Sequence, residues 1–272
     1  MPVLSLNDVD IAYDVAGSGM PLLLLSATAL HSEPWTIHQV PEFAQDHRVI
    51  TYDQRGIGRS VMRSKDFSAN SQVADALALL DHLRVDKAVL WGHSMGGRIA
   101  QLIALDHPDR VAALVLASTG AWFPTRGVPV SMCMELAEKG YERYVREHSY
   151  EVGVSKAFAQ AHPAIVDEFM RIRLSNPPPI EAFLRHVVAR QDIDTSQRLA
   201  DIRVPTLVML GGDEGHPSAS GVTHQSSSEL LAKSIPGAEF VVIPGQGHYY
   251  PYVEPKPTNA AVRDFLKRRL RT

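Results

Sequence analysis

The sequence predicts an α/β protein built on a doubly wound, mostly parallel, eight-stranded sheet with an inserted helical cap. Three observations lead to this prediction. Short apolar runs recur along the chain, segments with helical spacing separate them, and one long central stretch has helical spacing without any strand pattern. Parallel neighbours in a sheet need crossover connections of this kind, because a hairpin can join only antiparallel strands.

The strand pattern changes after the first part of the chain. Polar and apolar residues alternate over residues 3–15, with a turn signal at Asn7-Asp8, which predicts two antiparallel strands. Six apolar runs bounded by turn residues then predict strands covered on both faces. They are residues 21–25, 48–52, 88–91, 112–117, 206–210 and 240–243.

Helical spacing defines the remaining elements and the domain limits. Helices are predicted over residues 71–83, 98–106 and 257–271 of the core, and over residues 132–147, 163–174 and 180–188 of the central stretch. That stretch is too long for a loop. We therefore expect a core domain formed by residues 1–119 and 202–272, and a helical cap, or lid, formed by residues 120–201.

Composition excludes several classes of protein. Of 272 residues, 45% are hydrophobic and 21% are charged, as in an ordinary soluble domain, and the net charge of −3 offers no basic surplus for nucleic acid. The single cysteine, Cys133, rules out an internal disulfide and a cysteine-based metal site. The first nineteen residues lack a signal-peptide pattern. We expect a cytoplasmic monomer or homodimer that binds neither nucleic acid nor membrane.

The strongest chemical signal is a serine between two glycines. Ser94 lies in Gly92-His93-Ser94-Met95-Gly96, directly after a predicted strand and directly before a predicted helix. A strand-to-helix turn of this type exposes the hydroxyl at the sheet edge, and its glycines remove side chains that would collide there. Ser94 is the candidate nucleophile.

A serine nucleophile needs a base and an acid, which follow it in the chain order Ser, acid, His. His248 follows the last predicted strand through the flexible residues 244–247 and is the candidate base. Asp213 and Glu214 both follow the penultimate strand, and either could orient the imidazole. We favour Asp213, because a shorter side chain holds a histidine more rigidly, and keep Glu214 as the alternative.

The remaining site residues are expected around these three. The amide of Met95 is one candidate donor to the oxyanion, and the amide of Thr28, or alternatively of Ala27, is the second. Trp122 and Phe123, at the start of the cap, are candidate substrate contacts. His93 is a further candidate, although its side chain is expected to turn away from the nucleophile. No metal or organic cofactor is needed for this chemistry.

These motifs resemble those of the α/β-hydrolase superfamily over nearly the whole chain outside the cap. The loop of residues 53–60, the serine turn, the Gly-Gly-Asp loop of residues 211–213 and Gly247-His248 occur in the same order there. Residues 26–27 and 52–56 are similar to the 3-oxoadipate enol-lactonase branch. In the superfamily the acid usually stands three residues after the glycine that ends the strand, a position that corresponds here to Glu214.

The resemblance implies a serine hydrolase that cleaves a small carboxylic ester or lactone through an acyl-enzyme on Ser94. Serine rather than aspartate at position 94 argues against relatives that form an alkyl-enzyme ester, which need a carboxylate nucleophile. Two alternatives stay open at the sequence level. One is a carbon–carbon bond hydrolase, thioesterase or lyase on the same fold, and the other is a hydrolase-like receptor or binding protein with little turnover.

Overall fold

The centre of the protein is a mostly parallel sheet. A computed structural model describes residues 2–64, 67–123, 127–215 and 223–270. Eight of its strands follow the order β1-β2-β4-β3-β6-β7-β8-β9, and the short β5 pairs with β2. The strands are β1 (Val3–Ser5), β2 (Val9–Ala16), β3 (Met20–Leu25), β4 (His47–Tyr52), β5 (Val61–Met62), β6 (Ala88–His93), β7 (Val111–Ala117), β8 (Thr206–Gly211) and β9 (Glu239–Ile243).

Pairings that involve β2 are antiparallel, and the pairings from β4 through to β9 are parallel. Helices connect the parallel strands. They are α1 (Glu33–Phe43), α2 (Ala69–His82), α3 (Met95–Asp106), α4 (Val130–His148), α5 (Lys156–Ala161), α6 (Pro163–Arg173), α7 (Ile180–Asp192), α8 (His224–Ser234), α9 (Tyr250–Val253) and α10 (Pro255–Arg269). Within the described ranges, none is long and apolar enough to cross a membrane.

Strand β3 shows how the sheet is buried on both faces. Successive side chains of a strand point to opposite faces. Leu23 and Leu25 therefore join the apolar cluster that contains residues of α2 and α3, whereas Leu22 and Leu24 join the cluster that contains residues of α1 and α10. All four leucines are 0% exposed, which explains why this strand is a continuous apolar run in the sequence.

The predicted fold class is confirmed, and each predicted run lies in a strand of the sheet. Three core helices were not predicted: α1, α8 and the four-residue α9. Helix α1 carries Pro34 at its start and Pro41 inside it, and α8 begins with a serine-rich turn held by a capping box between Thr223 and Ser226. Neither segment has the apolar spacing on which the other helices were recognised. The predicted end of the last helix at Arg271 lies outside the described residues.

Helices α4 to α7 fill the chain between β7 and β8, within the residues that we assigned to the cap. Gly140, with φ of 74°, divides α4 into two parts. Leu136 of α4 and Phe183 of α7 pack in a separate apolar cluster, and this cluster also contains Ala29 and Ile57 from core loops. The cluster holds these helices over the loop that follows β3.

A buried ion pair fixes the loop after β4. Both Nε and Nη2 of Arg55 donate to the carboxylate of Asp75 at 2.7 Å, and Nη1 donates to Asp8 at 2.9 Å. The side chains of Arg55 and Asp75 are each 3% exposed. Both nitrogens of this bidentate contact are satisfied on α2, so the loop is tied to that helix.

Replacing Asp75 by alanine should lower the free energy of unfolding by about 3–5 kcal/mol, because a buried guanidinium loses its main counter-ion. Urea unfolding followed by circular dichroism measures the change. Asp81→Ala on the same helix is the matched control, since Asp81 is 66% exposed and its pair with Arg110 should contribute less than about 1 kcal/mol. Equal effects of the two substitutions would contradict a structural role for the Arg55–Asp75 pair.

Candidate active site

Ser94 stands at the turn between β6 and α3. Its backbone has φ of 54° and ψ of −112°, a conformation rarely adopted by a non-glycine residue. A Cβ at Gly92 would lie 2.4 Å from the backbone of Gly96, and a Cβ at Gly96 would lie 2.2 Å from the carbonyl oxygen of Leu25. Both positions therefore require glycine, and the helix approaches the sheet closely enough to present Ser94 at its edge.

His248 is held by a carboxylate. Its Nδ1 lies 2.9 Å from Oε2 of Glu214, whose side chain is 1% exposed. The other carboxylate oxygen, Oε1, accepts hydrogen bonds from the amide of Gly211 at 2.8 Å and from the hydroxyl of Ser118. Because these donors leave the carboxylate as the acceptor, Nδ1 carries the proton and Nε2 of the neutral imidazole keeps a lone pair.

This contact corrects the preference for Asp213. Asp213 is exposed, and its backbone amide donates to the carbonyl of Gln246 at 2.9 Å. The amide of Glu214 donates to the carbonyl of Gly211 at 3.1 Å, which closes a tight turn after β8. Asp213 lies at the tip of that turn, whereas Glu214 returns beneath the sheet edge where the histidine is.

Burial sets the ionisation of this pair. Desolvation lowers the pKa of His248, and the positive charges of Arg173, His148 and Arg190 lower it further. Desolvation raises the pKa of Glu214, while the hydrogen bonds from Ser118 and Gly211 act in the opposite direction. The imidazole is therefore neutral at pH 7, which is the form that can accept a proton.

Ser94 and His248 line the same cavity, which has a volume of about 440 Å³. In the part of the chain that the structure describes, no hydrogen bond joins them. A hydrogen bond between a nucleophile and its base often tightens only when substrate is bound. The cavity that both residues line places them at one site. The volume suits a small molecule.

All but one of the predicted oxyanion and substrate residues line the cavity. They are Ala27, Thr28, Met95, Trp122 and Phe123. Met95 is the first residue of α3, where backbone amides lack partners within the helix. The hydroxyl of Thr28 is buried, and no described residue forms a hydrogen bond with it.

His93 does not contact the cavity, which corrects its assignment as a substrate contact. It is 0% exposed, and its Nε2 donates to the backbone carbonyl of His248 at 2.9 Å. Its Nδ1 lies 3.2 Å from the hydroxyl of Tyr252. Since β6 directs this side chain below the sheet edge, His93 supports the backbone that carries His248.

A further histidine, His224, lies beside His248. The ring centroid of His224 is 4.5 Å from that of His248, and burial lowers the pKa of His224 to about 4. Potential ligand atoms of Glu214, His224 and His248 lie within 4.8 Å of one another, a spacing that a metal ion could use. Both oxygens of Glu214 already accept hydrogen bonds, so we assign the cluster to the histidine–carboxylate pair.

Several site residues have no recognisable signal in the sequence. Ser118 follows β7 at a position where the sequence offers no acid, and only the structure shows that it supports Glu214 from the neighbouring strand. His224 follows a segment without helical spacing. Arg98, Arg173 and Arg190 line the cavity from three different helices, a convergence that depends on how those helices pack.

A mostly parallel sheet with a serine at a strand-to-helix turn and a histidine after the last strand defines a hydrolase of the α/β type. The chain matches the alpha/beta hydrolase fold family over residues 20–255, and it belongs to that family. The predicted family and the prediction that the protein is an enzyme of this class are confirmed.

Individual relatives extend over almost the full chain. A protein of Azorhizobium caulinodans named as a candidate carbamate hydrolase, RutD, is 28% identical over 270 residues, covering 97% of this chain and 98% of the relative. The solved structure of Est816, described as an N-acyl homoserine lactone degrading enzyme, is 31% identical, with a TM-score of 0.82 and coverage of 97% and 100%. The enol-lactonase of Burkholderia xenovorans LB400 shares the fold at 22% identity, with a TM-score of 0.85 and coverage of 98% and 100%.

Nuclear magnetic resonance titration should give His248 a pKa below the ordinary value of about 6.5. Arg173→Met should raise this pKa, because it removes the positive charge that lowers it most. The resonance of His248 is the one that is missing from the spectrum of the His248→Gln variant. Arg171→Met, which removes an exposed partner of Glu168 from the same helix, should leave the pKa unchanged. A pKa at or above 6.5 in the wild type would contradict this account.

Proposed function

We propose that the protein is a serine hydrolase that cleaves a small carboxylic ester or lactone through an acyl-enzyme on Ser94. The observation that carries this proposal is the buried Glu214–His248 hydrogen bond beside the cavity that Ser94 lines. The likeness to Est816, described as degrading N-acyl homoserine lactones, supports an acyl substrate, and so does the relative named for carbamate hydrolysis.

In the first step the Ser94 oxygen attacks the carbonyl carbon of the substrate. Nε2 of His248 accepts the hydroxyl proton as the new carbon–oxygen bond forms. Glu214 keeps the proton on Nδ1 and stabilises the imidazolium that results. The carbonyl π bond becomes an oxyanion, and the charge is then transferred to the leaving alkoxide.

The oxyanion lies between the start of α3 and the loop after β3. The amide of Met95 is one donor, and the amide of Thr28, or of Ala27, is the second. One such donor contributes about 3–4 kcal/mol to stabilisation of the transition state. Collapse of the tetrahedral intermediate breaks the bond to the leaving oxygen, which takes its proton from His248.

Water completes the cycle. His248 accepts a proton from a water molecule as the water oxygen attacks the carbonyl carbon of the acyl-enzyme. Collapse of the tetrahedral intermediate breaks the bond to the Ser94 oxygen, which takes that proton back from His248. The products are a carboxylic acid and an alcohol, or one hydroxy acid when the substrate is a lactone. No redox step is involved, because every step transfers only an acyl group and protons.

Ser94→Ala should fold with an unchanged melting temperature and lose p-nitrophenyl butyrate hydrolysis by a factor on the order of 10⁴ or more, because the nucleophile is absent. Stopped assays and thermal unfolding measure the two quantities. A fluorophosphonate probe should label the wild type and leave this variant unlabelled. Unchanged turnover in Ser94→Ala would overturn the proposed function.

Glu214→Gln should lower kcat by about 10²–10⁴-fold, because glutamine neither fixes the productive histidine tautomer nor stabilises the imidazolium. The neighbouring Asp213→Asn is the matched control. It removes one charge from the same turn and should change kcat by less than about twofold, because Asp213 is exposed. A large loss in Asp213→Asn with a small one in Glu214→Gln would restore the original assignment.

A further inference from the structure

Three arginines line the cavity of Ser94, and each has hydrogen-bonding groups without a partner among the residues that the structure describes. The unpartnered atoms are Nη1 of Arg98, Nε of Arg190, and Nε and Nη1 of Arg173, and all of them are buried. Arg98 is only 6% exposed. A buried guanidinium without an acceptor is energetically unfavourable, so these donors are set up for a group that enters the cavity.

Two of the arginines converge on one aromatic ring. The Cζ atom of Arg190 lies 4.7 Å from the ring centroid of Phe123, and the Cζ atom of Arg98 lies 5.3 Å from the same centroid. Arg98 is on α3, one turn beyond Ser94, and Arg190 is near the end of α7. Phe123 therefore contacts one guanidinium from the sheet side and one from the helical segment, and the two charges are close enough for Arg190 to lower the pKa of Arg98.

Little negative charge balances this pair. Among the described residues that line the cavity, Glu151 is the only acid, and it is exposed. Burial and the charge of Arg190 lower the pKa of Arg98 to about 9, although Asp194 acts in the opposite direction. Arg98 therefore remains charged at pH 7, and the guanidinium of Arg190 does too because arginine stays protonated in proteins. Among the described residues that line the cavity, no buried acid compensates this positive charge.

A carboxylate matches this arrangement. Its two oxygens can accept from two guanidiniums, and charge-assisted hydrogen bonds of this kind are stronger than neutral ones. An apolar acyl chain would leave the same donors unsatisfied. On the basis of the proposed acyl transfer at Ser94, we infer that the substrate is an ester or lactone whose acyl part ends in a carboxylate, bound by Arg98 and Arg190.

The first test compares matched substrates. Methyl hydrogen succinate, glutarate and adipate are each paired with the methyl ester of the monocarboxylic acid in which a methyl group replaces the free carboxylate. Hydrolysis is followed in a pH-stat. The wild type should show a kcat/KM at least about tenfold higher for one or more of the charged esters, since each charge-assisted bond favours that substrate. Equal values within all three pairs would overturn the inference while leaving the esterase proposal intact.

The second test removes each guanidinium. Arg98→Met and Arg190→Met should each lower the ratio of kcat/KM for a charged ester to that for its neutral counterpart by about tenfold or more. Arg190→Lys should keep a higher ratio than Arg190→Met, because lysine retains the positive charge. Arg185→Met is the matched control on the same helix, because Arg185 bonds to Glu181. Its ratio should equal that of the wild type. A preference lost only in Arg173→Met would overturn the assignment to the Arg98–Arg190 pair.

The third test does not require turnover. Calorimetric titration of glutarate into Ser94→Ala should show binding that weakens by about tenfold or more in the double variants Ser94→Ala with Arg98→Met and Ser94→Ala with Arg190→Met. Thermal unfolding of each variant checks that it is folded. If Ser94→Ala binds glutarate but the wild type hydrolyses none of the esters, the anion site is supported and the proposed function is rejected. Absence of binding, or binding insensitive to both substitutions, would overturn the anion site.

Discussion

The close approach of α3 to β3 is the constraint on which the site depends. No side chain fits at Gly96, where a Cβ would lie 2.2 Å from the carbonyl oxygen of Leu25, so the helix begins directly against the sheet. The turn that results holds Ser94 in a strained backbone conformation and directs the first amides of α3 toward the same edge. The loop after β3 reaches that edge as well. The sheet thus brings the candidate nucleophile and both candidate oxyanion donors together before any substrate binds.

Burial gives the charged groups around this edge their chemical character. Without water, the imidazole of His248 is kept neutral, while Glu214 needs the donors Ser118 and Gly211 to remain an acceptor. The same desolvation is unfavourable for Arg98 and Arg190, each of which has a guanidinium nitrogen with no hydrogen-bond partner in the described part of the chain. A neutral base and uncompensated guanidiniums in one cavity favour an anionic acyl substrate, because its carboxylate satisfies the arginines without protonating the histidine.

Two corrections show where reasoning from the sequence stopped. Asp213 and Glu214 are adjacent carboxylates in one turn, and the choice between them depends on the hydrogen bond from the Glu214 amide to Gly211, which places one outward and the other inward. His93 is adjacent to Ser94 in the chain, but the alternation of side chains along β6 directs it under the sheet edge, against the backbone of His248. Local spacing predicted the neighbourhood of both residues and the turn of His93 away from the nucleophile. It could not select between the two carboxylates or show that His93 contacts the backbone of His248.

The sequence by itself determined the fold class, the candidate nucleophile and the candidate base, because these follow from short-range patterns. Apolar runs mark the strands, glycines flank a turn that tolerates no side chains, and chain order places the histidine after the last strand. Only the tertiary structure selected Glu214 as the partner of His248, joined Ser118 to it, and brought Arg98 and Arg190 to the ring of Phe123. These contacts join residues up to 96 positions apart, and they are set by the packing of helices and strands rather than by the local sequence.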